Sequence, residues 1–404
     1  MKSTFSIGIG AALIGASALA AAHEIDVMTQ NQYLGADLTP ALNAATTEPF
    51  DPAAFNAAVV GVLRTIAANQ PARRVEALAE QIERRRPDVV GLQEAYEFAC
   101  LPYPGVPEVP GMGCDDPSIK AAFTDHLQDT AAALHGKYVV VGKVTNLKIN
   151  AIPFSVNGFP AILALADRDA ILVRKGLPAK WVDFGPTGTG TCAKPVDQGC
   201  NYQTAPPPLD TDLGLIAIER GFLAVDFKLK GRVYRVFNTH LEQRLLAPTL
   251  LESRLLQVGQ AYELLGAALG TWDGMKTVIV IGDLNSAPVD TIPVPPYPVT
   301  LPGTSLPVAP PYGIFAGAGF TDAWTLRRGG GHDEGFTCCQ AEDLSNRRSQ
   351  LYERIDIIFS LTRPSQVIDM KVLGERMGDK TRPPGHGGLW PADHAAVAAE
   401  LHFD

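Results

Sequence analysis

The stretch Thr277-Val-Ile-Val-Ile-Gly-Asp-Leu-Asn-Ser-Ala-Pro288 restricts this chain more than any other. Residues 278–281 are a run of β-branched side chains, the pattern of a buried strand. Gly282 breaks the run and lets the backbone turn without steric cost. Asp283 and Asn285 follow at the strand end, and Pro288 stops any continuation. A carboxylate and a carboxamide on a strand rim add nothing to packing. The plain reading is an Asx turn that closes the strand. The chemical reading is a water or phosphate oxygen that has to be oriented and deprotonated.

Other predicted strands end in the same way. Residues 25–28 lead to Asn31, and residues 89–93 lead to Glu94. Residues 222–229 and 232–237 form a hairpin joined at Lys230-Gly231, and the second strand runs into Asn238-Thr239-His240. Residues 353–359 alternate as a strand that contains Asp356, and Asp393-His394 leads into a last strand over 395–401. Residues 138–141, 170–173 and 366–372 are three further short strands. Helices are expected over 55–68, 72–85, 121–135 and 249–269. In the second, Val75, Leu78, Ala79 and Ile82 repeat at helical spacing before Pro87 ends it. In the last, Leu251, Leu255, Val258, Tyr262 and Leu265 share one side. Segments 101–118, 176–212 and 289–312 are rich in Pro and Gly and read as loops.

Residues 1–22 have the form of a secretory leader: Lys2, an apolar small-residue stretch, then Ala20-Ala21-Ala22 before His23. Export, to a periplasm or beyond the cell, is the expectation, with no membrane anchor. The rest shows no low-complexity linker and no repeat. A single domain over 23–404 with Cys/Pro-rich loop insertions is expected, as a monomer. The net charge of −9 becomes −10 once Lys2 leaves with the leader. That balance argues against a broad nucleic-acid-binding face, though not against a local basic or cation-holding groove. Six cysteines fit an exported chain. Cys100 with Cys114 and Cys192 with Cys200 each flank a loop that a disulfide can close. Adjacent Cys338 and Cys339 can pair with each other, pair elsewhere or stay reduced.

Together the rim groups make one inventory: hard oxygen ligands for a divalent cation, a carboxylate to activate water, and two imidazoles. Phosphate-ester hydrolysis needs that set. The ordered motifs Asn31, Gln93-Glu94, Asn238-Thr239-His240-Leu241, Gly282-Asp283-Leu284-Asn285, Arg354-Ile355-Asp356 and Asp393-His394 resemble those of the endonuclease/exonuclease/phosphatase superfamily. That group includes deoxyribonuclease I, abasic-site endonucleases, bacterial sphingomyelinases and inositol polyphosphate 5-phosphatases. One departure is Ala392, where the family usually has Ser.

The resemblance implies an α+β fold, a two-sheet β-sandwich flanked by helices on both outer faces. It implies Mg²⁺, with Mn²⁺ or Ca²⁺ as alternatives, held by Glu94, Asn31 and Asp393. Asp283 then positions or deprotonates the attacking water, and Asn285 holds the water or a phosphate oxygen. His240 and His394 contact the scissile phosphate, Asp356 orients His394, and Arg168 adds a phosphate contact. Tyr33, Asp37 and Glu242 stand near the rim as support. His23, His126, His135, His332, His386 and His402 carry no role. The activity expected is metal-assisted hydrolysis of a phosphodiester or phosphomonoester. The substrate is a nucleic acid, a phospholipid headgroup or a small phosphate ester. A sphingomyelinase would use an exposed apolar loop, for which 289–312 is the candidate. The segment from Gly335 to Cys339 either shapes a substrate pocket or staples a loop. The competing class is a non-catalytic exported binding protein on the same scaffold.

Overall fold

The computed structural model describes residues 23–243, 250–291, 309–327, 334–381 and 387–404. The leader, most of the 289–312 loop, His332 and His386 lie outside the described residues. The strands are β1 (His23–Asn31), β2 (Val89–Gln93), β3 (Glu97–Pro102), β4 (Tyr138–Val156), β5 (Phe159–Arg174), β6 (Ala179–Trp181), β7 (Lys194–Val196), β8 (Gly199–Asn201), β9 (Leu209–Thr211), β10 (Gly214–Ile216), β11 (Gly221–Leu229), β12 (Arg232–His240), β13 (Thr277–Asp283), β14 (Thr321–Asp322), β15 (Asp356–Ser360), β16 (Gln366–Leu373) and β17 (Ala396–Phe403). The helices are α1 (Thr39–Thr46), α2 (Pro52–Ala68), α3 (Pro71–Arg85), α4 (His126–Ala133), α5 (Leu250–Gly270) and α6 (Pro311–Gly317).

Two mixed sheets carry the fold. The first runs β16-β17-β1-β2-β5-β3, with β4 paired to β5; the second runs β14-β15-β13-β12-β11-β8-β7, with β6 paired to β11. Alternation along each strand sends every second side chain inward. Ile25, Val27, Val89 and Ile171 of the first sheet thus meet Leu223, Val225, Val236, Ile279, Ile281 and Ile358 of the second in one buried layer. Truncating any of these to Ala costs about 2–5 kcal/mol. The opposite face of the first sheet, with Met28, Val90 and Leu92, is covered by Ala79 and Ile82 of α3 and Leu127 of α4. The outer face of the second, with Phe222, Phe237, Val278, Val280 and Phe359, is covered by α5 and α6 through Val258, Ala261, Leu264 and Phe315. Helices therefore lie on both outer faces, as the resemblance implied.

The sequence misplaced several elements. β4 and β5 are one long hairpin, where only its outer ends had shown strand character. Its Asn157-Gly158 turn, with both residues at positive φ, is a two-residue hairpin signal. Register shifts at three places along the pair broke the expected alternation. The predicted 121–135 helix is a 3₁₀ turn, Lys120–Ala122, and then α4, capped by the Asp125 side chain on the Gln128 N–H. The 176–212 loop carries β6 to β9, and α1 was not foreseen. In α5, Tyr262 faces solvent at 54% exposure, while Ala261 and Leu264 pack inward. All six cysteines pair: Cys100–Cys114 and Cys192–Cys200 close their loops, and Cys338–Cys339 is vicinal.

Candidate active site at one end of the sandwich

Two parallel pairs point the same way. β1 runs beside β2 with Asn31 opposite Gln93, and β12 runs beside β13 with His240 opposite Asp283. β15 is antiparallel to β13, so its first residue, Asp356, falls opposite Asp283. β17 is antiparallel to β1, and His394 precedes it at the same end. Six rim groups distant in sequence thereby gather at one edge.

The sheets approach each other closely there. A Cβ on Gly91 would sit 2.5 Å from the Asn238 Oδ1. The Asn238 amide crosses the gap and donates to the Leu92 carbonyl at 2.9 Å and the Ala170 carbonyl at 3.0 Å. Two residues along the same face comes His240. Gly282, at φ +140, passes so near β12 that a Cβ would lie 2.0 Å from the Thr239 carbonyl oxygen. Glu94 and Asn285 hold positive φ of 51 and 48, a region L side chains enter at a cost of about 1 kcal/mol or more and usually where function demands it.

Asn31 links the two halves. Its Nδ2 donates to Glu94 Oε1 at 3.1 Å and to Asp283 Oδ2 at 3.2 Å, while its Oδ1 accepts from the Tyr33 N–H. Asp283 Oδ1 accepts from the Asn285 N–H at 2.8 Å. His394 Nδ1 lies 2.8 Å from Asp356 Oδ2, and Nε2 is the ring nitrogen without a hydrogen bond among the described residues. Asp356 is in turn set by Thr337, whose hydroxyl accepts from the Asp356 N–H at 3.2 Å. The Ala395 N–H donates to the Thr337 carbonyl. Segment 335–339 thus braces Asp356 and His394, a positioning task that the sequence reading left open.

The two histidines differ in charge. Burial, the Arg220 cation and His394 push His240 well below the ordinary imidazole pKa. Burial opposes the imidazolium of His394 too, but Asp356, Asp393 and Asp283 outweigh it and hold that ring well above the ordinary value. Burial, with the nearby Asp356 charge, raises Asp283 to about 7. Burial also brings Asp393 to about 7 against the pull of His394.

Arg220 is the residue that sequence reasoning missed. It sits just ahead of β11, and its Nη1 donates to His240 Nδ1 at 3.0 Å. A guanidinium cannot accept, so Nδ1 is the acceptor and the ring proton lies on Nε2. That Nε2 stands 3.2 Å from Asn285 Nδ2 and 3.5 Å from Asp283 Oδ2. Arg220 Nε meets Glu242 Oε1 at 3.3 Å, and Nη1 lies 3.7 Å from Asp167 Oδ2. An arginine before a strand has no motif of its own; only these contacts reveal it.

Arg168 is not at the site. Alternation along β5 turns it away from Asp167 and Asp169. It donates to Asp125 Oδ1 at 2.6 Å, Asp125 Oδ2 at 3.2 Å and the Ala95 carbonyl at 3.0 Å. The expected phosphate contact from Arg168 is therefore replaced by a partly buried structural ion pair with Asp125, and the guanidinium at the rim belongs to Arg220.

Two carboxylate groupings can hold a cation. Asp283, Asp356 and His394 are close enough together, but the Asp356–His394 hydrogen bond already occupies Nδ1. Glu94 and Asp393 instead face one cavity of about 460 Å³. The Asp393 Oδ1 there is buried and meets no hydrogen-bond partner among the described residues. Two like-charged carboxylates with an unmet oxygen fit a divalent cation.

No protein-family model and no curated protein matches the chain in sequence. Solved structures do resemble it. An endonuclease/exonuclease/phosphatase from Beutenbergia cavernae is 16% identical, covering 94% of this chain and 72% of that one at a TM-score of 0.49. A mannosyl-6-phosphatase from Bacteroides thetaiotaomicron is 14% identical over 93% of this chain and 99% of its own, at 0.48. TDP2 from C. elegans is 15% identical over 94% and 75%, at 0.45. The similarity is one of fold. The sandwich stands on its own strand pairings, two mixed sheets with helices on both outer faces.

Proposed function

We propose that the chain is an exported, divalent-metal-dependent phosphoesterase, which hydrolyses a phosphodiester or phosphomonoester by attack of water. The observation that carries it is the geometry of one rim, where Asp283, held by the Asn31 amide and the Asn285 N–H, stands among His240, backed by Arg220, and His394, backed by Asp356. Glu94, Asp393 and the Asn31 amide are the groups that would hold a cation; when bound, it supplies charge to the phosphoryl oxygens. Mg²⁺ suits this oxygen set, with Mn²⁺ or Ca²⁺ as alternatives.

The residues divide the work. Asp283, fixed by Asn31 and the Asn285 N–H, takes the proton of the attacking water. A base near neutral pH is matched to that task. Neutral His240 donates from Nε2 to a phosphoryl oxygen, its tautomer set by Arg220. Charged His394 donates from its own Nε2, oriented by Asp356 as the carboxylate orients histidine in other hydrolases. Both donors act where charge builds in the transition state. Hydrolysis of bis(p-nitrophenyl) phosphate with Mg²⁺ and with EDTA, by wild type and His394→Ala, tests the reading. The expectation is turnover that EDTA abolishes and the variant lowers at least 100-fold. Full activity in either case sinks it, and silence of the wild type on all phosphoesters favours a binding role.

A further inference from the structure

The cavity that Glu94 and Asp393 face extends well past them. Asp37 and Glu342 stand at its mouth, and Glu342 Oε1 accepts from the Asp37 N–H at 3.1 Å. Asp167 lies along its wall. That residue is 3% exposed, and its Oδ1 has no hydrogen-bond partner among the described residues. Its Oδ2 lies 3.7 Å from Arg220 Nη1, and the Asn146 side chain also hydrogen-bonds the carboxyl. Arg220 is the one cation among the described lining residues, and Glu242 and Asp167 already compensate it.

We propose that Asp37 and Glu342 are specificity-determining residues. They admit phosphoesters whose alcohol portion is rich in hydrogen-bond donors and carries no second negative charge, and they turn away polyanions. The inference rests on the phosphoesterase reading and names its substrate class. A nucleic-acid strand brings phosphates on either side of the scissile one and binds chiefly through cations that neutralise them. Here the flanking positions hold carboxylates instead. Asp167 adds negative charge to the wall, and a substrate hydroxyl or ammonium finds acceptors in the exposed Asp37 and Glu342 carboxylates. An amino alcohol and a sugar-like polyol share this chemistry.

The test is a series of p-nitrophenyl phosphodiesters that differ only in the second group: 2-aminoethyl, 2-hydroxyethyl, ethyl and carboxymethyl. The leaving group is constant, so kcat/KM reports recognition of the other arm. The expected order falls from aminoethyl to carboxymethyl by about tenfold or more at low salt and flattens at high salt. Hydroxyethyl is expected above ethyl. A large step from aminoethyl to hydroxyethyl supports an amino alcohol, and near equality supports a polyol. In the Asp37→Asn/Glu342→Gln variant the aminoethyl-to-carboxymethyl ratio collapses toward one with the unfolding midpoint unchanged. A flat series in the wild type, or an unchanged ratio in the double variant, overturns the inference while leaving hydrolysis itself in place. Absence of turnover on all four diesters overturns this inference, and silence on p-nitrophenyl phosphate as well takes down the phosphoesterase reading with it.

Discussion

His240 and His394 stand at the same rim, both buried, yet His240 is held neutral and His394 is held protonated. The difference lies in what backs each ring. His240 has a guanidinium behind Nδ1, and His394 has a carboxylate behind Nδ1. The neighbour fixes both the tautomer and the charge, so one residue type serves as a neutral donor on one side and a cationic donor on the other. The β12–β13 half of the rim is therefore organised by Arg220, and the β15–β17 half by Asp356.

Breaking the His394 half should have the largest effect. His394→Ala is expected to lower kcat/KM roughly 100- to 10,000-fold on bis(p-nitrophenyl) phosphate, with Asp356→Asn somewhat less damaging. Asp283→Asn should fall in a similar range, as a lost base, with KM little changed. The His240 half should respond first in stability. Arg220→Met leaves Glu242 and Asp167 buried without their cation, which costs about 3–5 kcal/mol in urea unfolding. Equal stability of that variant would remove Arg220 from the comparison.

Titration gives a finer probe. The folded pKa of His240 lies below its unfolded value, so the unfolded chain takes up the proton first as the pH falls. Its contribution to stability is present above the ordinary imidazole value, about 6.5, and is lost as the pH drops below it. NMR should find the His240 ring neutral at pH 6, and a protonated ring there would break the contrast. The smallest expected effect is cation binding. At a hundredfold excess over Kd, Mg²⁺ should add about 2.7 kcal/mol to unfolding stability, and Glu94→Gln/Asp393→Asn should lose that increment. An undiminished increment in the variant would move the cation elsewhere.

Much of this rim was legible because strand ends announce themselves. A β-branched run ended by Gly282 and Asp283, or by Glu94, carries both the element and the group it presents. What stayed hidden depended on contact across the chain. Arg220 lies just ahead of β11 and Arg168 within β5, and only strand alternation and partners tell the site cation from the structural one. The Asn157-Gly158 hairpin was written in the sequence, but the bulged strands around it blurred the period-two pattern. The acidic mouth pairs Asp37 with Glu342, residues no local pattern connects.

The Asn238 amide, reaching from one sheet to two carbonyls of the other, has a consequence for durability. The cation side of the rim hangs on β1 and β2, the water-activating side on β12 and β13, and this strut spans the seam between them. Heat cannot part the sheets without dismantling the catalytic arrangement in the same event. The temperature at which the protein stops working should therefore coincide with the temperature at which it melts, with no inactive but folded stage between.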